Sequence, residues 1–315
     1  MIYLLPFLEE TLPIRHLLSI SDLSSQELER LLDLAMALKE GARAPQVAGK
    51  TLALVFEKPS LRTRVSFDVA MRQLAGECIY LSPPEVGLGD RETPADVARV
   101  LSRYVNCIAA RTFDHSTVVE LAKWSEVPVI NALSDAEHPC QALADLLTIR
   151  EHKGPLEGLS VAFIGDGNNV ANSLATAASM SGMDFRVASP AGYEMSDEVI
   201  AMATGAGVGS VVRTQDPREA ASGADVIYTD VWASMGQEGE ASSRREAFAG
   251  YTVDSRMMAA ASPNAIFMHD LPAHRGEEVS AEVIDGEQSV VFDQAENRLH
   301  AQKAVLATLL GSETL

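Results

Sequence analysis

Three short runs gather residue types that can hold and polarise a small anion. Glu57-Lys-Pro-Ser60-Leu61-Arg62-Thr63-Arg64 puts hydroxyls and guanidinium groups where a strand-like run, Thr51 to Phe56, gives way to a helix-like one. A helix start carries unpaired N–H groups and the positive end of the dipole, so Ser60, Arg62 and Thr63 could complete a phosphate site there. Without a ligand, the same run is a serine cap followed by a solvated basic turn. Asp135-Ala-Glu-His138-Pro-Cys-Gln141 opens a second helix, with Pro139 suited to its first turn. There His138 could donate to a carbonyl oxygen and Gln141 accept from an amide, the plainer role of His138 being a helix cap. Arg111 ends a strand-like run, and the carboxyl end of a parallel strand is where open α/β sheets bind ligands. The alternative is a surface ion pair.

The second half carries a different set. Val161-Ala-Phe-Ile-Gly165-Asp-Gly167-Asn-Asn169-Val170 has two glycines of a dinucleotide fingerprint, but Val170 stands at the third glycine position. No acidic residue ends the next strand-like run, Phe185 to Pro190, so a nicotinamide cofactor has little support. Asp230-Val-Trp-Ala-Ser234-Met235-Gly236 follows another strand-like run and offers a carboxylate, a hydroxyl and a glycine-containing loop, a set suited to an ammonium and a carboxylate. Asp230 alone reads as an end-of-strand cap. The histidines show no HxxxH spacing and Cys140 lacks ligand partners, so neither metal nor cofactor is expected.

These groups need a frame, and the chain alternates strands and helices to supply it. Ser24-Ser25-Gln26-Glu27 is a capping box, followed by Leu28, Leu31, Leu32, Ala35 and Leu38 on one helical face and by Gly41 as a stop. Phe67, Ala70, Met71 and Leu74 repeat at helical spacing after the first strand-like run. Further strand-like runs lie at Cys78 to Leu81, Asn106 to Arg111 and Pro128 to Asn131, and a helix from Pro139 to about Arg150 closes this half. Glu151 to Gly158, charged and with two glycines and a proline, reads as a boundary. Strands then follow at Val161 to Ile164, Phe185 to Ser189, near Val211, Val226 to Thr229 and Ala265 to Met268, with a final helix from Ala295 to Leu310. Such alternation implies an α/β fold of parallel sheets covered on both faces.

Composition narrows the function classes. With 315 residues, 47% hydrophobic and 22% charged, the chain is long enough for two packed domains and is not a disordered one. Its 25 basic and 44 acidic residues give a formal net charge of −19, a surface that repels nucleic acid and anionic membrane. Cys78, Cys107 and Cys140 form an odd set without CxxC spacing, which suits a reduced, cytoplasmic protein. The amino-terminal Met1 to Glu10 lacks the features of a secretory signal, and no apolar run approaches a membrane span, so neither leader nor anchor is expected.

Taken in order, Ser60-Leu-Arg-Thr-Arg64, Arg111-Thr-Phe and His138-Pro-Cys-Gln141 resemble the carbamoyl phosphate motifs of the aspartate/ornithine carbamoyltransferase family. The similarity runs from about Ser21 through Lys303. Gly165-Asp-Gly-Asn-Asn169 and Ser234-Met235-Gly236 are similar to the turn and loop of members that act on ornithine, which makes ornithine the implied acceptor. Met268-His-Asp270-Leu271-Pro corresponds to the family's His-Cys-Leu-Pro segment, with Asp270 where most such members have Cys. Glu296-Asn-Arg298 matches the family's last phosphate-binding arginine, which would otherwise be a helix ion pair. Leu61 replaces a usual Thr and keeps only its backbone N–H for binding, while Gly87 falls where many members carry a Gln that reaches the neighbouring subunit.

The resemblance implies two doubly wound parallel-sheet domains: residues 1–150 for carbamoyl phosphate, completed by a C-terminal helix at 295–315, and residues 151–294 for ornithine. It also implies a homotrimer. Phosphate would be held by Ser60, the Leu61 N–H, Arg62, Thr63 and Arg298, and the carbamoyl group oriented by Gln141 and the Leu271 carbonyl. Arg111 and His138 would stabilise the oxyanion formed when the amine attacks. Ornithine would meet Asn169, Asp230, Ser234, Met235 and Asp270, with Asp230 and Asp270 helping to take the δ-amine proton. Two other readings share these residues: a carbamoyltransferase for another amine, and a non-catalytic paralogue that only binds carbamoyl phosphate.

Overall fold

The computed structural model describes residues 16–42, 47–88, 91–234, 236 and 238–311. Met235, among the expected ornithine ligands, and the Met1 to Glu10 stretch lie outside the described residues. The chain divides into two compact units, residues 1–147 with 297–315, and residues 148–296.

In the first unit, strands β1 (Thr51–Phe56), β2 (Glu77–Leu81), β3 (Cys107–Arg111) and β4 (Val129–Leu133) form a parallel sheet ordered β2-β1-β3-β4. Each strand is followed by a helix-bearing connection, the only economical way to return a chain to a parallel neighbour. Ala53, Val55, Ile108 and Ala110 point to one face and pack with Val97, Ala98, Val118, Leu121 and Ala122 of the covering helices Pro94–Leu101 and His115–Trp124. Leu52, Leu54 and Phe56 alternate to the other face and are equally buried, which is why β1 reads as a continuous apolar run. The amino-terminal capping box forms as its residues suggest: Ser24 accepts from the Glu27 N–H, the Glu27 carboxylate answers the Ser24 N–H, and the helix spans Ser25–Lys39.

The second unit holds β5 (Ser160–Ile164), β6 (Asp184–Ala188), β7 (Val211–Thr214), β8 (Val226–Thr229) and β9 (Ile266–His269), all parallel in the order β7-β6-β5-β8-β9. One face, with Ala162, Ile164, Ile227 and Phe267, packs on Met257, Met258, Val283 and Ile284. On the opposite face Phe163 stacks on Tyr228 with ring centroids 5.2 Å apart and also meets Phe185 at 6.3 Å.

Two helix limits differ from the sequence expectation. The helix starting at Pro139 continues to Lys153, so the charged residues Glu151, His152 and Lys153 are its last turn. Basic residues at a helix C-terminus complement the dipole, which offsets their poor apolar patterning. The final helix begins at Val291, earlier than Ala295, because Val290 and Val291 are buried and extend its apolar face. Among the described residues no helix is long and apolar enough to cross a membrane. All three cysteines are free, with Cys107 and Cys140 buried.

Phe163 is fully buried between two rings, so Phe163→Ala removes a large volume that a parallel sheet cannot collapse to fill. A loss of about 3–5 kcal/mol is expected, read as a lower urea midpoint at unchanged m-value.

Candidate functional site

Each sheet reverses its winding once, between β1 and β3 in the first unit and between β5 and β8 in the second. Connections leaving the two strands at such a point go to opposite faces and leave a crevice beyond their carboxyl ends. Ser60 and Arg111 stand at the first of these places and Asn169 and Asp230 at the second, while His138 follows β4, Asp270 and Leu271 follow β9, and Arg298 lies on the last helix.

In the first unit, Phe56 and Arg111 are register partners, so Ser60 and Arg111 emerge from the ends of adjacent strands. Ser60 is the N-cap of the helix Leu61–Gln73, its hydroxyl accepting from the Thr63 N–H at 3.3 Å and lying 3.0 Å from Thr63 Oγ1. The capping role and the ligand role are therefore compatible. Arg298 donates to Thr63 Oγ1 at 3.0 Å and to Gln141 Oε1 at 2.6 Å, and Gln141 Nε2 donates to Asp145 at 2.8 Å. Arg298 thus ties the two helix starts together. His138 is buried, and desolvation together with the charges of Arg298, Arg111 and Lys58 holds its imidazole well below the ordinary 6.5. A neutral imidazole can donate one hydrogen bond without adding charge. Arg62 is half-buried, and Leu61 is 77% exposed, leaving its side chain outside the cluster.

Sequence reasoning passed over Lys58, which is buried with its ammonium 5.0 Å above the Phe113 ring. Burial and the neighbouring Arg111 lower its pKa, making it another cation of this cluster. Its position follows from Glu57, which accepts from the Phe113 N–H and donates its own N–H to the Arg111 carbonyl. Asn131 and Glu137 were also missed: Asn131 donates to the Leu18 carbonyl, and Glu137 accepts from Ser19, fixing the turn that carries His138. Cys140 faces the Asn131 carbonyl, and burial pushes its thiol up to about 12, so it is no nucleophile at neutral pH.

In the second unit, the Gly165–Gly167 turn leaves β5 while Asp230 leaves β8. Gly165 has φ 154, and at Gly167 a Cβ would meet the Met195 nitrogen at 2.3 Å. Close backbone approach, not a dinucleotide, requires the second glycine. Asn168 is the N-cap of the helix Asn169–Met180, accepting from the Val170 and Ala171 N–H groups. Its amide also donates to Asp230 at 2.7 Å, a cross-strand partner that linear spacing does not reveal. Asn169 is the first helical residue and is half-buried, as is Ser234.

Asp230, His269 and Asp270 come within 4.8 Å of one another, so the two expected carboxylates do meet. Burial and the adjoining Asp270 raise the Asp230 pKa well above its usual 3.8, against the pull of His269 and Asn168. His269 Nε2 lies 3.2 Å from the buried Glu278 carboxylate, and the Leu271 N–H donates to His269 Nδ1 at 2.9 Å. Burial alone would lower His269, but Asp270, Glu278 and Asp230 push it up to about 9. The Leu271 N–H bond to Nδ1 fits the neutral ring, whereas the surrounding carboxylates favour the charged one, in which an Nδ1–H faces Asp270 Oδ1 at 3.4 Å in place of that bond. Leu271 itself has φ 59, and its segment is further fixed by Glu278, which accepts from the His274 N–H. The cluster could hold a divalent cation by donor type, yet Asn168, Val231, Leu271 and Glu278 already hydrogen-bond its members.

One unit therefore presents a cation-rich helix-start pocket and the other a carboxylate cluster, the features of an α/β group-transfer enzyme for an anionic and an amine substrate. Family comparison agrees: residues 15–151 match the carbamoyl-P binding domain of aspartate/ornithine carbamoyltransferase, and residues 157–309 match its Asp/Orn binding domain. The chain is 54% identical over 307 residues to the ornithine carbamoyltransferase of Symbiobacterium thermophilum, covering 95% of this chain and 99% of that one. Its fold superposes on the ornithine carbamoyltransferase of Pyrococcus furiosus with a TM-score of 0.92 at 52% identity, over 96% of this chain and 99% of that one. A solved N-acetyl-L-ornithine transcarbamylase is more distant, at 34% identity with a TM-score of 0.85, over 94% of this chain and 100% of that one. The chain belongs to the aspartate/ornithine carbamoyltransferase family.

His138 gives this site a stability signature. The unfolded chain takes up a proton near pH 6.5 that the folded chain refuses, so this contribution is present above pH 6.5 and is lost as the pH falls below it. The unfolding free energy should decline on acidification from roughly pH 7 to 5, and His138→Gln should flatten part of that slope. Parallel denaturation profiles for parent and variant would contradict the assignment.

Proposed function

We propose that this chain transfers the carbamoyl group of carbamoyl phosphate to the δ-amine of L-ornithine, yielding L-citrulline and phosphate. The observation that carries this reading is the 54% identity to an ornithine carbamoyltransferase across 95% of the chain. The neutral amine attacks the carbonyl carbon, the C–N bond forms, the tetrahedral oxyanion collapses, and the C–O bond to phosphate breaks. Ser60, the Leu61 N–H, Arg62, Thr63 and Arg298 bind the phosphoryl oxygens and neutralise the leaving group. Arg111 and His138 donate to the developing oxyanion, each such donor being worth about 10²–10³ in rate. Gln141 and the Leu271 carbonyl orient the carbamoyl amide.

Asn169, Ser234 and Met235 hold the amino-acid end of ornithine, and Asp230 with Asp270 receives the δ-ammonium and takes its proton. Two adjacent carboxyls cannot both stay ionised cheaply, and an arriving ammonium relieves that conflict. Asp270 in place of the family's more usual Cys adds charge exactly at that step's acceptor side, a difference of chemistry and not of shape. A homotrimer residing in the cytoplasm is part of the same proposal. Self-association is supported by Leu61, Val65 and Ile79, apolar side chains 77%, 49% and 48% exposed at the β2 edge and the helix beside it.

Purified protein given carbamoyl phosphate with ornithine, putrescine, N-acetylornithine, lysine or aspartate in separate reactions should form product from ornithine alone. Product from another amine overturns the acceptor assignment, and carbamoyl phosphate binding without any product favours a non-catalytic paralogue. The rate with ornithine should rise toward alkaline pH as the δ-amine deprotonates. Asp270→Asn removes the like charge beside Asp230, so the acid limb should move to lower pH while kcat/KM for ornithine falls roughly tenfold to a hundredfold. Superimposable pH profiles would remove Asp270 from the proton transfer.

A further inference from the structure

The first unit holds a buried carboxylate that no step of the proposed reaction uses. Asp145 lies on the helix Pro139–Lys153, one turn beyond Gln141, and both side chains are buried. Asp145 accepts from Gln141 Nε2 at 2.8 Å, while Gln141 Oε1 accepts from Arg298 Nη1 at 2.6 Å. A guanidinium only donates, so the end of the Gln141 amide that faces Arg298 is its oxygen and the end that faces Asp145 is its nitrogen. Arg298 has its own anchor, since its Nη2 donates to Thr63 Oγ1 at 3.0 Å, the same oxygen to which the Ser60 hydroxyl donates. Held by Arg298 alone, the amide could pivot about a single contact. Asp145 grips the opposite end of the planar group and stops that rotation, so the second lone pair of Oε1 keeps one direction.

We propose that Asp145 is a positioning residue that sets specificity for the acyl group: by fixing Gln141, it makes the site prefer an acyl phosphate bearing NH2 to one bearing a methyl group. This role rests on the carbamoyl phosphate reading given above. A carbamoyl NH2 can donate to the remaining Oε1 lone pair. A methyl group of nearly the same size cannot, and it leaves a buried acceptor unpaired. Such a site rejects the analogue only while its acceptor stays in place, and holding it there is the part that falls to Asp145.

The test measures binding of inorganic phosphate, phosphonoacetamide and phosphonoacetone by titration calorimetry, the last two being stable acyl phosphate mimics that differ only in NH2 against CH3. The parent should bind the amide about 10- to 100-fold more tightly than the ketone, the effect of one buried hydrogen bond left unmade. Asp145→Ala should cut that ratio to about threefold or less, while the dissociation constant for inorganic phosphate stays within about twofold. Gln141→Glu sets two carboxyl groups against each other and should also lose the preference. Adding Asp145→Asn to it should restore the preference, because the new amide nitrogen can donate to the new carboxylate. A ratio in Asp145→Ala equal to the parent's overturns the proposal. So does an equal weakening of all three ligands with a lower melting temperature, the mark of a merely structural carboxylate. Should Asp145→Ala not fold, the double variant decides, and a ratio no higher than that of Gln141→Glu rejects the role. A parent that binds amide and ketone alike refutes the carbamoyl phosphate reading and the proposal with it, so the parent tells the two failures apart.

Discussion

Everything chemical in this molecule depends on where its parallel sheets reverse direction. A right-handed crossover forces successive helices onto one face until the chain starts a strand on the other side of the first. At that point two strand ends diverge, and their connecting turns are held apart by the sheet itself. β1 with β3, and β5 with β8, are these strand pairs. Ser60, Arg111, Gly165 and Asp230 stand just beyond or at their carboxyl ends. Buried strands on both sides make the scaffold stiff, so the groups on the turns need little further ordering when a ligand arrives.

Charge is then sorted between the two units. Although the chain as a whole carries −19, Lys58, Arg111 and Arg298 are buried in the first unit around a histidine kept neutral. Cations gathered in a low-dielectric place repel one another, a cost that an incoming phosphate would offset. The second unit stores the opposite conflict in Asp230 and Asp270, moderated by Asn168 and His269. Each cluster carries a conflict that a ligand of the other sign would relieve, and the proposed anion and amine subsites rest on that complementarity.

The departures from the family pattern have distinct physical consequences. Leu61 exposes its side chain and leaves Ser60, Thr63 and the helix N–H groups in place, so the proposed anion site loses a hydroxyl and keeps its other donors. Gly87 ends the helix Pro83–Val86 with φ 54, a conformation in which glycine is the easiest residue, and it supplies no side chain to reach a neighbour. Asp270 is the exchange that alters charge, since it sets a second carboxylate beside Asp230.

Much of the architecture was legible in the chain itself. Among the described residues the nine strands fall on or within a residue or two of the expected runs, the Ser24 to Glu27 cap forms, and the motifs at Ser60, Arg111, His138 and Asp230 fall on strand or helix ends, because burial, capping and backbone preference act locally. Helix limits were less secure, since the dipole and buried valines extended the helices past their obvious patterns at Lys153 and Val291. Only the tertiary structure decided which groups touch. Arg298 bridges Thr63 and Gln141 across long sequence separations, Asn168 caps its helix and also donates to Asp230, and Lys58, Glu278 and Arg244 make contacts that their neighbours in sequence do not announce. Residue type determines what a side chain can do; the crossing of strands determines what it can reach.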